Sequence, residues 1–293
     1  MAKAAKKPVA KKPAAKVKAA RAPAKKPAAK KPAAKKPAAK KTSASQSIAK
    51  KPAAKLSARG SAKQPPIEMY YWPTPTGWKI SIMLEECGLP YNTHMVNIAE
   101  GDQFKPEFLA ISPNNRIPAI VDPSGPGGKP VSVFESGAIL QYLGRKTGKF
   151  YGTSERGRID ADQWLMWQMG GLGPMSGQNN HFRFYAPEQL PYAVQRYTGE
   201  VTRLYGVMDR QLAKHEFLAG KYSIADMACV GWVKPWERQG QKLDDFPNLK
   251  RWYEAVMARP AVQRGMNLKL ESRGTYDPKD PKVQALLFGN KPK

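Results

Sequence analysis

The charged residues of this chain are unevenly distributed, and this limits what the chain can fold into more than any other feature. The first 67 residues contain 21 lysines and arginines and no aspartate or glutamate. The whole chain has 49 basic and 23 acidic residues, so 28 basic and 23 acidic side chains remain for the other 226 residues. The excess positive charge therefore belongs to an N-terminal tail, and a nearly neutral body follows it.

The tail, residues 1–66, is built on a repeated unit, Lys-Lys-Pro-Ala-Ala, which runs unbroken from Lys25 to Lys41. A period of five residues matches neither a helix nor a strand, and each proline removes an amide donor and disfavours helix in the preceding residue. No aromatic residue precedes Tyr70, so little apolar area could offset the entropy of ordering. We therefore expect a disordered tail.

Such a dense run of solvated lysines is expected to bind polyanions, because neutralised phosphates release their counterions. The tail has no aromatic side chain to stack on bases, and its two arginines, Arg21 and Arg59, are isolated. We therefore expect nonspecific binding to nucleic acid. The composition resembles the tails of linker histones and of histone-like bacterial proteins. A solubilising extension, an anionic membrane surface and an acidic protein partner are the alternatives.

Targeting and redox features of the sequence indicate a cytoplasmic protein. No apolar segment follows the basic start, so we expect no signal peptide, and no run of 18 apolar residues predicts a membrane span. Cys87 and Cys229 are the only cysteines and lie far apart, which indicates a reducing compartment and structural thiols. His94, His181 and His215 lack the spacing of metal ligands, so we expect no metal.

Residues 67–148 are predicted to form one α/β domain with the order β-α-β-α-β-β-α. Its first helix follows from the apolar spacing of Ile80, Met83, Leu84 and Cys87. A proline- and glycine-rich segment between the last two strands predicts a hairpin. The predicted strands are Ile67–Trp72, Tyr91–Ile98, Ile117–Val121 and Val131–Phe134, and the other two helices are Lys105–Ile111 and Ser136–Lys146.

Residues 155–270 are predicted to be helical throughout. Val194, Tyr197, Val201, Leu204 and Met208 alternate spacings of three and four, which is typical of a buried helix face. The segment from Ser223 to Asp226 has the pattern of a capping box. Residues 271–293 are polar, and we expect them to form a poorly ordered tail.

Several motifs in this order resemble those of cytosolic glutathione transferases. Asn115-Arg116-Ile117-Pro118-Ala119 resembles the segment that carries the family's cis-proline, and Phe134-Glu135-Ser136-Gly137-Ala138-Ile139 resembles its glutathione-binding Glu-Ser segment. Pro73-Thr74-Pro75-Thr76-Gly77 and Gly170-Gly171-Leu172-Gly173-Pro174-Met175 are similar to the nu class, which comprises bacterial glutathione-dependent disulfide-bond oxidoreductases. The resemblance covers about residues 67–270. It implies a thioredoxin-like domain, an all-α domain and a homodimer.

The resemblance places the catalytic site where the first strand meets the first helix, at Thr74 and Thr76. Most transferases have Tyr, Ser or Cys in this loop, and the nu class has Asn at the position of Thr76. A free thiol titrates near pH ~8.5. A hydroxyl hydrogen bond to the anion is worth about 1.5–3 kcal/mol, and a helix N-terminus adds up to ~2 kcal/mol. Either threonine could therefore stabilise a glutathione thiolate, and both remain candidates.

The resemblance also implies how glutathione is bound. A cis-Pro118 would leave the backbone of Ile117 open to pair with the cysteinyl part of the peptide, like an added strand. Ser136, near a helix N-terminus, would bind the γ-glutamyl carboxylate. Glu135 would contact the γ-glutamyl ammonium group.

Two further residues are implied to bind glutathione: Gln103, at its glycyl or γ-glutamyl end, and Arg203, on the long helix of the second domain. The expected reaction is thiol–disulfide exchange with glutathione as cosubstrate, and its partner is a disulfide or an electrophile. One alternative is a nucleoid-associated protein whose transferase fold is a non-catalytic scaffold. Another is a chaperone or ligand-binding relative with little catalysis.

Overall fold

The computed structural model describes residues 64–274, 277 and 279–289. Apart from its last three residues, the tail that we predict to be disordered lies outside the described residues. Within the described residues, none of the helices is both long enough and apolar enough to cross a membrane.

A four-stranded sheet forms the centre of the first domain, with strand order β2-β1-β3-β4. Strand β1 is parallel to β2 and antiparallel to β3, and β3 pairs with β4 as the predicted antiparallel hairpin. Alternate residues of the central strand, Ile67, Met69 and Tyr71, are buried in the core. The strands are β1 (Ile67–Tyr71), β2 (Tyr91–Met95), β3 (Ala119–Asp122) and β4 (Val131–Phe134).

Three helices complete this domain: α1 (Pro75–Cys87), α2 (Pro106–Leu109) and α3 (Ser136–Thr147). Short 3-10 turns cover Asp102–Phe104 and Pro126–Gly128. Helix α1 begins with proline at its first position and ends at Gly88, which has a φ of 67° as its C-cap. The predicted order β-α-β-α-β-β-α is confirmed.

The predicted second strand is too long, because β2 ends at Met95 rather than at Ile98. The cause is a local turn at Asn97, whose side-chain oxygen accepts the amide of Ala99 at 3.1 Å. The amide of Asn97 in turn donates to the carboxylate of Asp102 at 2.8 Å. Side-chain hydrogen bonds of this kind compete with strand pairing.

The second domain is helical, as predicted, and packs against α1. Helix α7 starts at the predicted capping box of Ser223 and Asp226 and is buried along nearly its whole length. The helices are α4 (Glu155–Trp167), α5 (Gly173–Asn180), α6 (Pro191–Leu212), α7 (Ile224–Val233), α8 (Pro247–Met257) and α9 (Pro260–Asn267). Turns of π-helix cover Gln168–Leu172 and His181–Tyr185, and 3-10 turns cover Leu243–Asp245 and Leu270–Arg273.

The prediction of a poorly ordered tail after residue 270 is wrong for part of that segment, which forms helix α10 (Pro281–Leu287). Asp280 caps the helix by accepting the amide of Lys282 at 2.7 Å. The side chain of Val283 is buried, and the side-chain amide of Gln284 donates to the carbonyl of Tyr185 at 2.6 Å. These contacts dock a short amphipathic segment that composition alone does not distinguish from a polar tail.

Candidate active site

A cleft of about 370 Å³ lies between the sheet domain and the helical domain. We call it the first cleft. Its floor and walls combine the N-termini of α1 and α3, the loop before β3, and the start of α5. Its lining residues are Thr76, Lys79, Ser112, Asn114, Arg116, Ile117, Pro118, Phe134, Glu135, Ser136, Gln168, Met169, Gly173, Pro174, Gly177, Gln178 and Trp232.

The two candidate threonines differ in their hydrogen bonds. Thr74 is the N-cap of α1, and its hydroxyl accepts the amide of Gly77 at 3.2 Å and donates to the carbonyl of Trp72 at 3.4 Å. In the part of the chain that the structure describes, neither the hydroxyl nor the amide of Thr76 makes a hydrogen bond. Thr76 therefore presents two unused donors at a helix N-terminus, whereas Thr74 is engaged in holding the helix.

The N-terminus of α3 forms a second group of donors in the first cleft. Ser136 is its first residue and is buried. Glu135, just before it, has a φ of 68°, in the left-handed region that most residues avoid. The exposed carboxylate of Glu135 accepts a hydrogen bond from the side-chain amide of Asn114 at 3.3 Å. The start of α3 therefore lies at the wall of the cleft, and a helix N-terminus favours an anion.

The loop before β3 supplies the backbone edge of the cleft. The peptide bond between Ile117 and Pro118 is cis, as predicted from the motif. Both residues line the first cleft. Among the residues described, the amide of Ile117 makes no backbone hydrogen bond. An extended peptide in the cleft could therefore pair with it.

A buried lysine lies beneath this site. The ammonium group of Lys79, on α1, donates to the Ser136 hydroxyl at 3.3 Å and to the Gln168 side-chain oxygen at 2.7 Å. It also lies 3.3 Å from the Met169 sulfur. Burial lowers the pKa of Lys79 to about 7, although Cys229 and Glu135 act in the opposite direction. The first cleft therefore has a titratable cation in its wall.

A second cleft of about 400 Å³ adjoins the first and shares Thr76, Arg116, Ile117, Gly177 and Trp232 with it. We call it the second cleft. The buried side chain of Gln103 lines it and donates to the Leu286 carbonyl of α10 at 3.4 Å. The other lining residues are Thr74, Pro75, Ile98, Asn115, Asn180, His181, Tyr185, Leu287 and Phe288. The C-terminal helix thus forms one wall of this cleft.

Arg203 is the one site residue implied by resemblance that the structure does not bring to either cleft. Its guanidinium lies on the exposed surface of α6 and pairs with Glu200 at 2.7 Å, one helical turn away. The spacing of three residues favours this local ion pair. Within a single chain, this position gives no support to a contact between Arg203 and glutathione.

Lys79, Gln168 and Trp232 are among the cleft residues that the sequence analysis did not identify. Lys79 lies four residues before the apolar Met83, and residues at this spacing share one face of a helix. The sequence therefore contained a sign that Lys79 lies on the buried face of α1. Gln168 and Trp232 gave no such sign, because they are brought to the cleft by a π turn and by the end of α7. The side-chain nitrogens of both are buried without a hydrogen-bond partner in the described chain, and a bound polar ligand could satisfy them.

Within the described residues, neither a cysteine thiol nor a group of metal-ligating side chains lies at either cleft. Cys87 and Cys229 are both buried, and burial raises the pKa of each thiol. Neither thiol lines either cleft. Among residues 64–274, 277 and 279–289, no group of histidine, cysteine and acidic side chains could hold a metal ion. A reactive sulfur at this site would therefore have to come from a bound molecule.

Family models match both halves of this architecture. The model of the glutathione S-transferase N-terminal domain matches residues 74–146. The model of the C-terminal domain of the same family matches residues 174–260. The first match contains the cis-proline loop and the start of α3, and the second contains α7.

Individual relatives agree with these models. The chain is 51% identical over 202 residues to the disulfide-bond oxidoreductase YfcG of Escherichia coli strain K12, a match covering 68% of this chain and 94% of the relative. It is 39% identical to the disulfide-bond oxidoreductase YghU of the same organism, covering 68% and 74%. A Pseudomonas putida glutathione transferase, crystallised with one glutathione disulfide per subunit, has a TM-score of 0.67 and 45% identity, covering 71% of this chain and 94% of that chain. With models of both domains matched and a relative 51% identical over most of its length, the chain belongs to the glutathione S-transferase family.

Proposed function

We propose that the protein is a glutathione-dependent disulfide-bond oxidoreductase. The observation that carries this proposal is the placement of Thr76, whose free hydroxyl and free amide lie at the N-terminus of α1 where the two clefts meet. Donors in this position favour a thiolate over a thiol. The similarity to two disulfide-bond oxidoreductases supports the same activity.

Glutathione fits the first cleft by its charge and its backbone. The γ-glutamyl carboxylate would lie at Ser136 and the N-terminus of α3, and the ammonium group would face Glu135. The cysteinyl backbone would pair with Ile117 beside cis-Pro118, which directs its sulfur toward Thr76. Gln103 would contact the peptide from the second cleft, provided that it exchanges its bond to the Leu286 carbonyl.

The reaction that this arrangement supports is thiol–disulfide exchange. The bound thiolate attacks one sulfur of a disulfide in the second cleft, which releases one thiolate and leaves a mixed disulfide with glutathione. A second glutathione thiolate then attacks the mixed disulfide. The products are two thiols and glutathione disulfide, so the two electrons come from two glutathione molecules. An electrophile could take the place of the disulfide in the first step.

The direct test is glutathione-dependent reduction of 2-hydroxyethyl disulfide by the full chain, followed through glutathione reductase and NADPH. We expect a rate well above that of glutathione alone and saturation with glutathione. A folded protein with only the background rate would contradict the enzyme proposal. That result would favour a scaffold or a ligand-binding relative.

We also propose that residues 1–66 tether this cytoplasmic enzyme to nucleic acid, which would associate it with the nucleoid. The support is the sequence: 21 basic residues and no acidic residue before Glu68. Contacts would be made to phosphates and not to base edges, because the segment lacks aromatic side chains. The enzyme itself would act as a homodimer, as the family resemblance implies.

The tether can be tested by comparing the full chain with residues 64–293 on immobilised double-stranded DNA across a salt series. We expect retention of the full chain to fall steeply with salt, and weak retention of the shorter chain at every salt concentration. Equal retention of the two would contradict the tether. Disulfide-reductase activity, measured in parallel, should be the same for both.

A further inference from the structure

The ammonium group of Lys79 is buried and forms no ion pair within the described part of the chain. Its three neighbours are a hydroxyl, an amide oxygen and a thioether sulfur: Ser136 at 3.3 Å, Gln168 at 2.7 Å and Met169 at 3.3 Å. The side chain of Lys79 is 2% exposed. A buried charge of this kind is normally paired, because dipoles alone do not replace its hydration.

The titratable groups around Lys79 do not supply the missing negative charge. Cys229, from α7, faces it, but burial raises the pKa of that thiol well above its ordinary value, so it is neutral. Glu135 acts on Lys79 only through space and is itself exposed and bonded to Asn114. Gln168 and Met169, from the π turn, carry no charge.

The position of the ammonium group shows where a negative charge would come from. Lys79 contacts the hydroxyl of Ser136, the first residue of α3, and both residues line the first cleft. The N-terminus of α3 favours an anion at the same place. An anion bound at Ser136 would therefore lie close to the ammonium group.

We propose that Lys79 is a positioning residue whose ammonium group becomes the buried counter-ion of a ligand carboxylate at Ser136, and that it takes up a proton when the ligand binds. The inference rests on the proposed function, which makes that carboxylate the γ-glutamyl carboxylate of glutathione. It adds the ammonium group of Lys79, on α1, to the carboxylate-binding site that the sequence motifs imply at Ser136, on α3.

The sign of the proton exchange follows from the geometry. The carboxylate favours the charged form of Lys79, so binding raises its pKa from a starting value of about 7. Above that pH the free protein holds a neutral lysine, and binding must bring a proton from solution. Affinity should therefore weaken as pH rises above about 7, by up to about ten-fold per pH unit. Below pH 6 the affinity should be nearly independent of this group.

Calorimetric titration of the full chain with S-methylglutathione measures this proton directly. The blocked sulfur prevents the release of a thiol proton, which would have the opposite sign. At pH 8, binding heats in buffers of different ionisation enthalpy should show uptake approaching one proton. At pH 6 the uptake should be close to zero. Binding without proton uptake at pH 8 would overturn the proposal.

Lys79→Met tests the same charge by its removal. We expect S-methylglutathione to bind about ten-fold to about one-hundred-fold more weakly at pH 6, and the extra proton uptake at pH 8 to disappear. The comparison with the wild-type protein cancels the titration of the ligand's own amino group. In the disulfide-reductase assay, KM for glutathione should rise while kcat changes little. Unchanged affinity, or a lower kcat at unchanged KM, would contradict the proposal.

Thermal stability separates this role from a purely structural one. Because Lys79 is buried without an anion, Lys79→Met should raise the melting temperature of the ligand-free protein. If Lys79 served mainly to hold Ser136 and Gln168 in place, the same variant would melt at a lower temperature. Lys149→Met is the matched control: Lys149 donates to the Cys87 carbonyl at 3.1 Å, and it lines neither cleft.

Failure of this inference can be told apart from failure of the proposed function. If the wild-type protein does not bind S-methylglutathione at all, the assignment of glutathione to the first cleft is wrong. If it binds but neither proton uptake nor affinity depends on Lys79, the peptide is bound as proposed and only the role of the lysine is wrong.

Discussion

Two buried titratable groups, Asp226 and Lys79, lie in very different surroundings. The carboxylate of Asp226 accepts the amides of Leu218 and Ser223 at 3.0 and 2.9 Å and the Trp252 ring N–H at 2.8 Å. The Ser223 hydroxyl donates to it as well, at 3.1 Å. The ammonium group of Lys79 has neutral partners only.

This contrast separates the region that builds the fold from the region that binds a ligand. At the start of α7, every bond that the carboxylate needs comes from nearby segments of the same chain. Around the first cleft, Thr76 keeps free donors, and the buried nitrogens of Gln168 and Trp232 have no partner within the described residues. Unsatisfied buried groups are costly, and a polar ligand bound in the first cleft could satisfy these two nitrogens.

The largest effect should come from removing the carboxylate of Asp226, because all of its hydrogen bonds are made within the chain. Asp226→Ala would leave three buried N–H groups unpaired, those of Leu218, Ser223 and Trp252. At about 1–3 kcal/mol for each group, the free energy of unfolding should fall by at least about 3 kcal/mol. Chemical denaturation measures this change. Asp244→Ala, at an exposed ion pair with Lys250, is the control and should leave stability nearly unchanged.

The same carboxylate predicts a pH dependence of stability. Burial raises the pKa of Asp226 from 3.8 to about 6, against the lowering effect of its hydrogen bonds. The folded state therefore holds this proton more tightly than the unfolded state, and the contribution of Asp226 to stability falls as pH rises from about 4 to about 6. Relative to Asp226→Asn, which cannot titrate, the wild-type protein should lose up to about 3 kcal/mol over that range. Parallel stability curves for the two proteins would contradict this.

In the cleft, a substitution should change activity more than stability. Thr76→Ala removes a hydroxyl that has no partner in the described chain, so the free energy of unfolding should hardly change. The loss of a hydrogen bond to a thiolate should lower kcat/KM for glutathione-dependent disulfide reduction by about ten-fold to about one-hundred-fold. The rate should also require a higher pH.

Thr74→Ala is the matched comparison for the same assay. It removes the N-cap of α1, so stability should fall by about 1 kcal/mol. Loss of activity in Thr74→Ala alone, with normal activity in Thr76→Ala, would reverse the roles that we assign to the two hydroxyl groups.

The smallest effect should come from the protein's own thiols. Cys87 and Cys229 are buried, have raised pKa values and line neither cleft. The double variant Cys87→Ala, Cys229→Ala should therefore keep its kcat for disulfide reduction. A large loss of kcat in a variant that folds normally would show that the sulfur supplied by a ligand is not sufficient.

Much of the fold was predictable because local patterns and the final packing agree. The apolar spacing of α1, the Gly88 terminator and the capping box at Ser223 all reappear in the structure. Helix α10 was not predictable, because its contacts with Tyr185 and Gln103 join segments far apart in the sequence. A polar composition indicates exposure, but it does not show that one apolar face has a surface to pack on.

The site was predictable only where short motifs carry it. The cis bond at Pro118 and the placement of Ser136 at a helix start followed from such motifs. The choice between the hydroxyls of Thr74 and Thr76 depends on which of them caps α1, and the sequence alone does not show this. Lys79 was overlooked because a single lysine in an apolar helix is usually expected to reach solvent, whereas the second domain covers it here.

The indole of Trp232 has a practical consequence for work in solution. Its ring lies in the wall of both clefts, and its N–H is buried without a partner among the described residues. Entry of a polar molecule into either space would alter the emission of this ring. With Trp232→Phe as the reference, intrinsic fluorescence offers an unlabelled optical readout of cleft occupancy.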